Sequence, residues 1–240
     1  MQIGKKYLLE FTMLFFAVFL GFLADGYREI QNEKANEKEY VNSLVSDVGS
    51  DKLSLKTAIQ ENKVQKNNLD TLSSLSSNYH LQHRKSWELY KYLSAPLSKP
   101  SFLNPNELTF SQLKNAGGLR LIKNKKMIEK IYRYDQSKQK LINQQFYYET
   151  YQNKAIATAG KIFNIQKFLS VPAGKPNNNS VNINPNEFEL IQNNEILLKE
   201  FANDITMFSV IVAYYIVLLE ETNKETDSLI TVAKKEYKIK

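Results

Sequence analysis

The chain has 240 residues, with 32 Lys and Arg against 25 Asp and Glu, 8 Gly, 6 Pro and no Cys, enough for one sizeable domain plus an anchor. The absence of cysteine excludes a disulfide framework and a thiolate metal site. The net charge of +7 is scattered, apart from clusters at residues 123–130 and 234–240, and no nucleic-acid-binding signature accompanies it.

Residues 7–24, from Tyr7 to Ala24, form an apolar stretch whose only charge is Glu10, just long enough for a transmembrane helix. Phe22 stands where a signal-cleavage site ending at Ala24 needs a small residue. The segment therefore reads as an uncleaved anchor, residues 1–24, ahead of an extracytoplasmic helical body over residues 25–240. Lys5 and Lys6 precede it, while Asp25, Glu29, Glu33, Glu37 and Glu39 follow among Arg28, Lys34 and Lys38. The positive-inside rule then favours a cytoplasmic N-terminus. A carboxylate in hydrocarbon costs on the order of a few kcal/mol. Lys6 lies four residues before Glu10 on the same helical face, so a snorkelling ion pair is the first expectation. A helix contact within an oligomer and proton conduction are the alternatives.

All six prolines fall at or after Pro96, so the first 95 residues favour unbroken helix. Beyond Tyr27 a heptad frame runs through Val41, Leu44, Val48, Asp51, Leu55, Ala58, Asn62, Gln65, Leu69, Leu72, Ser76 and Tyr79, the pattern of a packed face continuing directly out of the membrane. A short helical piece at residues 87–93 precedes a loop marked by Pro96, Pro100 and Pro105. Thr109-Phe-Ser-Gln112 has the form of a capping box, and Asn115-Ala-Gly-Gly118 that of a helix stop followed by a tight reversal.

Asn124 is placed to cap a long helix reaching about Phe168, with Met127, Ile131, Tyr134, Leu141, Tyr148, Ala155, Ala159 and Ile162 along one side. Residues 170–185 read as a loop, and Pro185-Asn186 followed by Glu189 as the start of a last helix running to about Tyr237. At 1.5 Å per residue the three long segments measure roughly 80, 70 and 75 Å. The expected fold is all-α: an N-terminal transmembrane helix continuing into an elongated antiparallel bundle of three long helices plus short ones.

Residues 205–219 are uncharged and apolar on every side. Ile191, Leu198, Ile205, Val212 and Leu219, with Phe201, Phe208 and Tyr215 between them, form the inward face. Met207, Val210, Tyr214 and Val217 make the outward positions apolar too, so protein or lipid must cover them. The expectation is an oligomer or partner contact, with a second membrane span as the alternative.

The stretch from Phe110 to Ile131, with its Leu-Lys-x-x-Gly-x-Leu-Arg-Leu-Ile-x-Asn-Lys core, resembles the signature of an uncharacterised bacterial family of single-span membrane-anchored helical proteins. The apolar span with an early glutamate and the segment from Glu37 to Leu44 resemble that family as well. The resemblance implies architecture and an envelope location, here the inner membrane with the bulk periplasmic, and implies no chemistry. Physically the motif suits a corner: Leu113, Leu119, Leu121 and Ile122 plug the bundle, Gly117 and Gly118 permit the turn, and Arg120 pairs with a carboxylate or caps carbonyls. Anion binding by Arg120 with Lys123 and Lys125 is the alternative.

His80 and His83 sit three residues apart, yet no third histidine exists to complete a metal site. There is no phosphate-cradling glycine loop, nucleophile elbow or His-Glu-x-x-His helix, and no catalytic, cofactor-binding or metal-binding residue is nominated. The sequence leads to a non-enzymatic scaffold or accessory subunit of an envelope complex, homo-oligomeric or part of a larger assembly, acting through helix–helix contacts. A membrane-tethered sensor or ligand-binding bundle is the alternative.

Overall fold

The structure, a computed structural model, describes residues 2–80, 85–115, 118–169 and 184–239, with side chains described from Glu10 onward. Helix α1 runs unbroken over Gln2–Ser77, joining the apolar stretch to the heptad segment. It is followed by α2 (Ser86–Tyr90), α3 (Ser94–Leu97), α4 (Leu108–Asn115), a 3-10 turn (Gly118–Arg120), α5 (Lys125–Ile162), α6 (Ile165–Leu169), a second 3-10 turn (Pro185–Glu187) and α7 (Glu195–Tyr237). Among the described residues the protein is all-helical, apart from one antiparallel bridge between Phe163 and Leu190. The chain divides into two compact units, one of Met1–Gly49, Asn106–Ile131 and Leu229–Lys240 and one of Ser50–Pro105 and Tyr132–Ser228.

In the second of these units the apolar stripes read from the sequence meet. Leu55, Leu69 and Leu72 of α1, Leu141, Tyr148 and Ala159 of α5, and Phe201, Ile205, Phe208, Val212 and Tyr215 of α7 share one buried cluster. Burial of each large side chain contributes roughly 1.5–3 kcal/mol before entropy is charged. Edge-to-face rings add direction: Tyr148 lies 5.2 Å from Phe208 and 5.5 Å from Tyr215, centroid to centroid.

Polar pairs fix helix direction in this unit. On α1 and α7, Lys63 meets Glu220 at 2.7 Å and Ser73 meets Thr206 at 2.6 Å, so residue numbers fall along α7 as they rise along α1. On α1 and α5, Tyr134 meets Asp51 and Tyr148 meets Asn62, so these two helices run the same way. That corrects the expected up–down–up order, in which the second long helix returns. The return is made by the proline-bearing segment instead. In this unit Gln65 donates to the Ala95 carbonyl and Asn62 to that of Ser101, so the segment steps back along α1 in short helices and turns. Prolines forbid a long helix there, and buried amide side chains supply the bonds that a helix would have made.

In the other unit Val41, Leu44 and Val48 of α1, Phe110 and Leu113 of α4, Met127 and Ile131 of α5, and Leu229 and Ala233 of α7 are buried. The buried carboxylate of Glu37 accepts from the Lys123 and Asn124 amides at 2.8 and 3.4 Å and from the Tyr237 hydroxyl at 2.6 Å. Asn124 caps α5 as expected, its side-chain oxygen accepting from the Met127 amide at 3.1 Å. The capping box at Thr109 does not form. Thr109 lies inside α4, where its amide donates to Asp47 at 3.1 Å, while Asn106 accepts from Leu108 at 3.3 Å.

Two other boundaries differ from the sequence reading. Helix α5 stops at Ile162 because Phe163 leaves the helix to bridge Leu190. Pro185 opens only a 3-10 turn, and α7 begins ten residues later, with Asn194 accepting from the Leu197 amide at 2.8 Å as its cap. Ile191 accordingly lies before the helix and is exposed.

Candidate interaction surfaces

Three features stand out from the packed core. The first is the stretch of α1 from Glu10 to Leu23, in which every residue is exposed. Phe11, Phe15, Phe16, Phe19 and Phe22 all face outward, with Phe15 stacked on Phe19 at 6.1 Å. A helix this apolar with no protein around it lacks the cover that burial requires. Among the described residues two helices contain stretches long and apolar enough to cross a membrane, within Glu10–Ser77 and Glu195–Tyr237; none of the first stretch is buried, and 56% of the second is. The side chain of Lys6 lies outside the described residues, and with it the expected Lys6–Glu10 ion pair. At the far end of the stretch Arg28 pairs with Asp25 at 3.0 Å.

The second feature is the outer face of α7. Met207 is 40% exposed and Val210 56%, with Tyr214 and Val217 between them in exposure. Their neighbours Phe208, Val212 and Tyr215 are fully buried. One side of this segment packs in the unit's core and the other is bare. The flanks are polar. Thr158 donates to Asp204 at 2.7 Å, Lys154 reaches the same buried carboxylate at 2.9 Å, and Asp70 accepts from both Lys66 and Ser209. Burial alone would raise the Asp70 carboxyl, but the Lys66 and Ser209 bonds hold it below its ordinary value.

The third is a groove of about 650 Å³ between α1 and the α3 region, lined by Val64, Leu97 and Phe168 with Glu61, Asn68 and Lys99 at its polar parts. Its wall is held from behind. Gln65 donates to the Ala95 carbonyl at 2.8 Å, Gln152 to those of Pro96 and Ser98 at 2.9 and 2.8 Å, and Asn62 to that of Ser101 at 2.9 Å. Four carbonyls of one turn-rich segment are thereby tied to buried amides.

The corner motif is used differently from the expectation. Gly118 is buried in the 3-10 turn without a left-handed backbone, and a Cβ there would lie 3.0 Å from the Leu113 side chain and 3.2 Å from its Cα. Close approach of Leu113, not a left-handed torsion, is what favours glycine at this position. Gly117 lies outside the described residues. Leu113 and Ile122 are buried, as a plug requires, and Leu119 and Leu121 are half-buried. Arg120 is exposed and makes no hydrogen bond or ion pair among the described residues. The backbone of Lys123 is held by Glu37, and its ammonium reaches Glu33 at 3.9 Å.

Sequence reading missed the partners of the polar residues in the heptad frame. Asp51, Asn62, Gln65 and Ser76 are all buried. Tyr134 donates to Asp51, and the buried Lys138 ammonium sits 5.1 Å over the Tyr134 ring. Tyr148 bonds Asn62 and Gln65, and burial pushes its phenol well above the ordinary value, with Tyr215 close by adding to the shift. These are internal ties in which the phenol O–H groups are the donors. No group of three His, Cys, Asp or Glu side chains suited to a metal occurs among the described residues; His83 lies outside them. No protein-family model matches the chain, and no curated protein and no solved structure is significantly similar to it.

Proposed function

We propose that the protein is a non-enzymatic, membrane-anchored scaffold or accessory subunit of a bacterial envelope complex. In this reading α1 crosses the inner membrane once, over residues 7–24, with the N-terminus cytoplasmic and the bulk of the chain periplasmic. The observation that carries it is the contrast along one continuous helix. From Glu10 to Leu23 α1 is apolar and wholly uncovered, whereas its heptad positions from Val41 onward are buried.

The long helices α1, α5 and α7 serve as the body of a bundle. The bare face at Met207, Val210, Tyr214 and Val217 is its contact with another copy or a partner subunit. A second span through α7 is disfavoured, because Lys63, Lys66, Asp70 and Lys154 lie alongside it; charges of this kind are costly in hydrocarbon. Native mass spectrometry of protein extracted in mild detergent tests the reading. Retention of a stoichiometric partner or a defined oligomer is expected, and a bare monomer at all detergent concentrations would contradict it.

A second reading, a membrane-tethered ligand-binding bundle, is favoured by the groove beside Val64 and Leu97. Its size suits a small molecule, and its wall is held rigidly, which lowers the cost of binding. A Val64→Trp substitution that abolishes recovery of a copurifying small molecule would support it.

A further inference from the structure

We infer that the outer face of α5 and α7 pairs with the same face of a second copy of this chain, each α7 lying against the other copy's α5. The inference rests on the reading of the α7 stripe as a contact and names its occupant.

The stripe has a neighbour at its own level. Thr158 and Lys154 both reach Asp204, at 2.7 and 2.9 Å, and Lys140 reaches Glu221 at 3.9 Å, so residue numbers rise along α5 as they fall along α7. Between these ties Phe146 and Tyr147 of α5 stand level with Val210 and Tyr214 of α7. Helical register puts Phe146 opposite the buried Leu141, Tyr148 and Ala155, and Tyr147 on the flank toward α7. Both rings are exposed, Phe146 by 69%, and they meet edge to face at 5.6 Å. Phe146 and Tyr147 thus extend the patch made by Met207, Val210, Tyr214 and Val217. With the stems of the flanking lysines it offers on the order of 700 Å², close to the ~800 Å² that each partner of a stable complex buries.

Charge selects the occupant. At the two ends of the patch α5 carries an exposed lysine, Lys154 and Lys140, and α7 an exposed glutamate, Glu200 and Glu221. Asp204 first, and Glu200 in smaller part, hold the Lys154 ammonium above its ordinary value, which places Glu200 in its neighbourhood. Lys199, beside Glu200, is taken by Glu195 at 2.6 Å. A two-fold axis along the helices keeps every level and turns α7 onto the α5 of the second copy. The lysines of each α5 then face the glutamates of the opposite α7 at both ends, and the rings between them meet the stripe. Packing α7 on the other α7 about such an axis would instead set Glu221 against its own copy. Unlike charges at the rim fix the register, while the apolar centre supplies the affinity.

Full-length Lys140→Glu and Glu221→Lys chains, tagged to different masses, are mixed in mild detergent and read by native mass spectrometry. Each variant paired with itself sets like charges across the contact, and the mixed pair restores unlike charges at both contacts, so heterodimer is expected well above the statistical half. An ion pair that acts only within each chain gives no such preference, because it is broken in both variants. The chain lacks cysteine, and Thr150 and Val210 are exposed at one level. Thr150→Cys in one tagged chain and Val210→Cys in the other should therefore form the mixed disulfide severalfold faster than either homodisulfide. Dimer with heterodimer at the statistical half and equal cross-linking overturns this arrangement and leaves the stripe as a contact. A different subunit held stoichiometrically by a single copy overturns the second copy as occupant and also leaves the stripe as a contact. A bare monomer overturns both.

Discussion

Tyr148 on α5 places its hydroxyl against two buried amides of α1, Asn62 at 3.1 Å and Gln65 closer still. Gln65 in turn donates to the Ala95 carbonyl, and Asn62 to that of Ser101. One phenol therefore stands at the centre of a network joining two long helices to the returning segment. Tyr148→Phe removes the single O–H donor while preserving the ring, leaving a buried amide oxygen short of a partner. The expected loss is about 1–3 kcal/mol, measured as a lower urea midpoint without a change in slope.

The same phenols give an alkaline signature. Burial raises the Tyr90, Tyr148 and Tyr215 hydroxyls above their ordinary value in the folded protein. Between the unfolded value, about 10, and the raised folded values, the unfolded chain has lost protons that the folded one keeps. Stability is then full below about pH 10 and falls as pH rises through the folded values. Thermal melts from pH 8 to 11 should show the decline beginning near pH 10, with a shallower slope in Tyr148→Phe.

At the corner, Gly118→Ala should cost about 1–3 kcal/mol by driving a Cβ into the Leu113 backbone. Truncating Leu113 would not relieve the closest backbone contact, so a Leu113→Ala, Gly118→Ala double variant should be no more stable than Leu113→Ala alone. Differential scanning calorimetry of the three variants checks this, and an unchanged melting temperature in Gly118→Ala would contradict it.

How far these features were legible differs from one to the next. The heptad frame was readable position by position: from Val41 to Ser76 every residue named on it is buried, because spacing alone fixes which side of a helix turns inward. Asp51, Asn62 and Gln65 could be placed on that face, but their partners Tyr134, Tyr148 and Ala95 depend on how far apart in sequence the chain folds back, which periodicity does not encode. The direction of α5 was misread for the same reason. A helix stripe looks identical whichever way the helix runs, and the proline-bearing segment gave no sign that it would make the return. Gly118 was recognised as necessary, yet its cause is the approach of Leu113, a tertiary fact.

Glu37 ties the last turn of α7 to α1 and to the start of α5 through Tyr237, Lys123 and Asn124. Glu37→Ala removes the acceptor from two backbone amides and a phenol that burial, with Glu37 itself, holds above its ordinary value. Amide hydrogen exchange should quicken at residues 234–237 and 123–127 while exchange around Phe208 stays unchanged, since local opening samples the weakest unit first.

The bare stripe of α7 separates stability from assembly. Val210→Glu with Val217→Glu changes exposed positions and should alter folding stability by about 0.5 kcal/mol or less, while Phe208→Ala on the buried side should cost about 3–5 kcal/mol. If the stripe is a contact surface, the double glutamate variant keeps its helicity by circular dichroism and loses its oligomer or partner by native mass spectrometry.

The central claim, that residues 7–24 are the one membrane attachment and the rest of the chain is a packed helical body, is tested most directly by deleting residues 1–24 and floating the product with lipid vesicles after alkaline extraction. The account predicts that full-length protein floats and that the shortened chain stays at the bottom of the gradient, helical and soluble. A shortened chain that still floats would place a second span in α7 and contradict it.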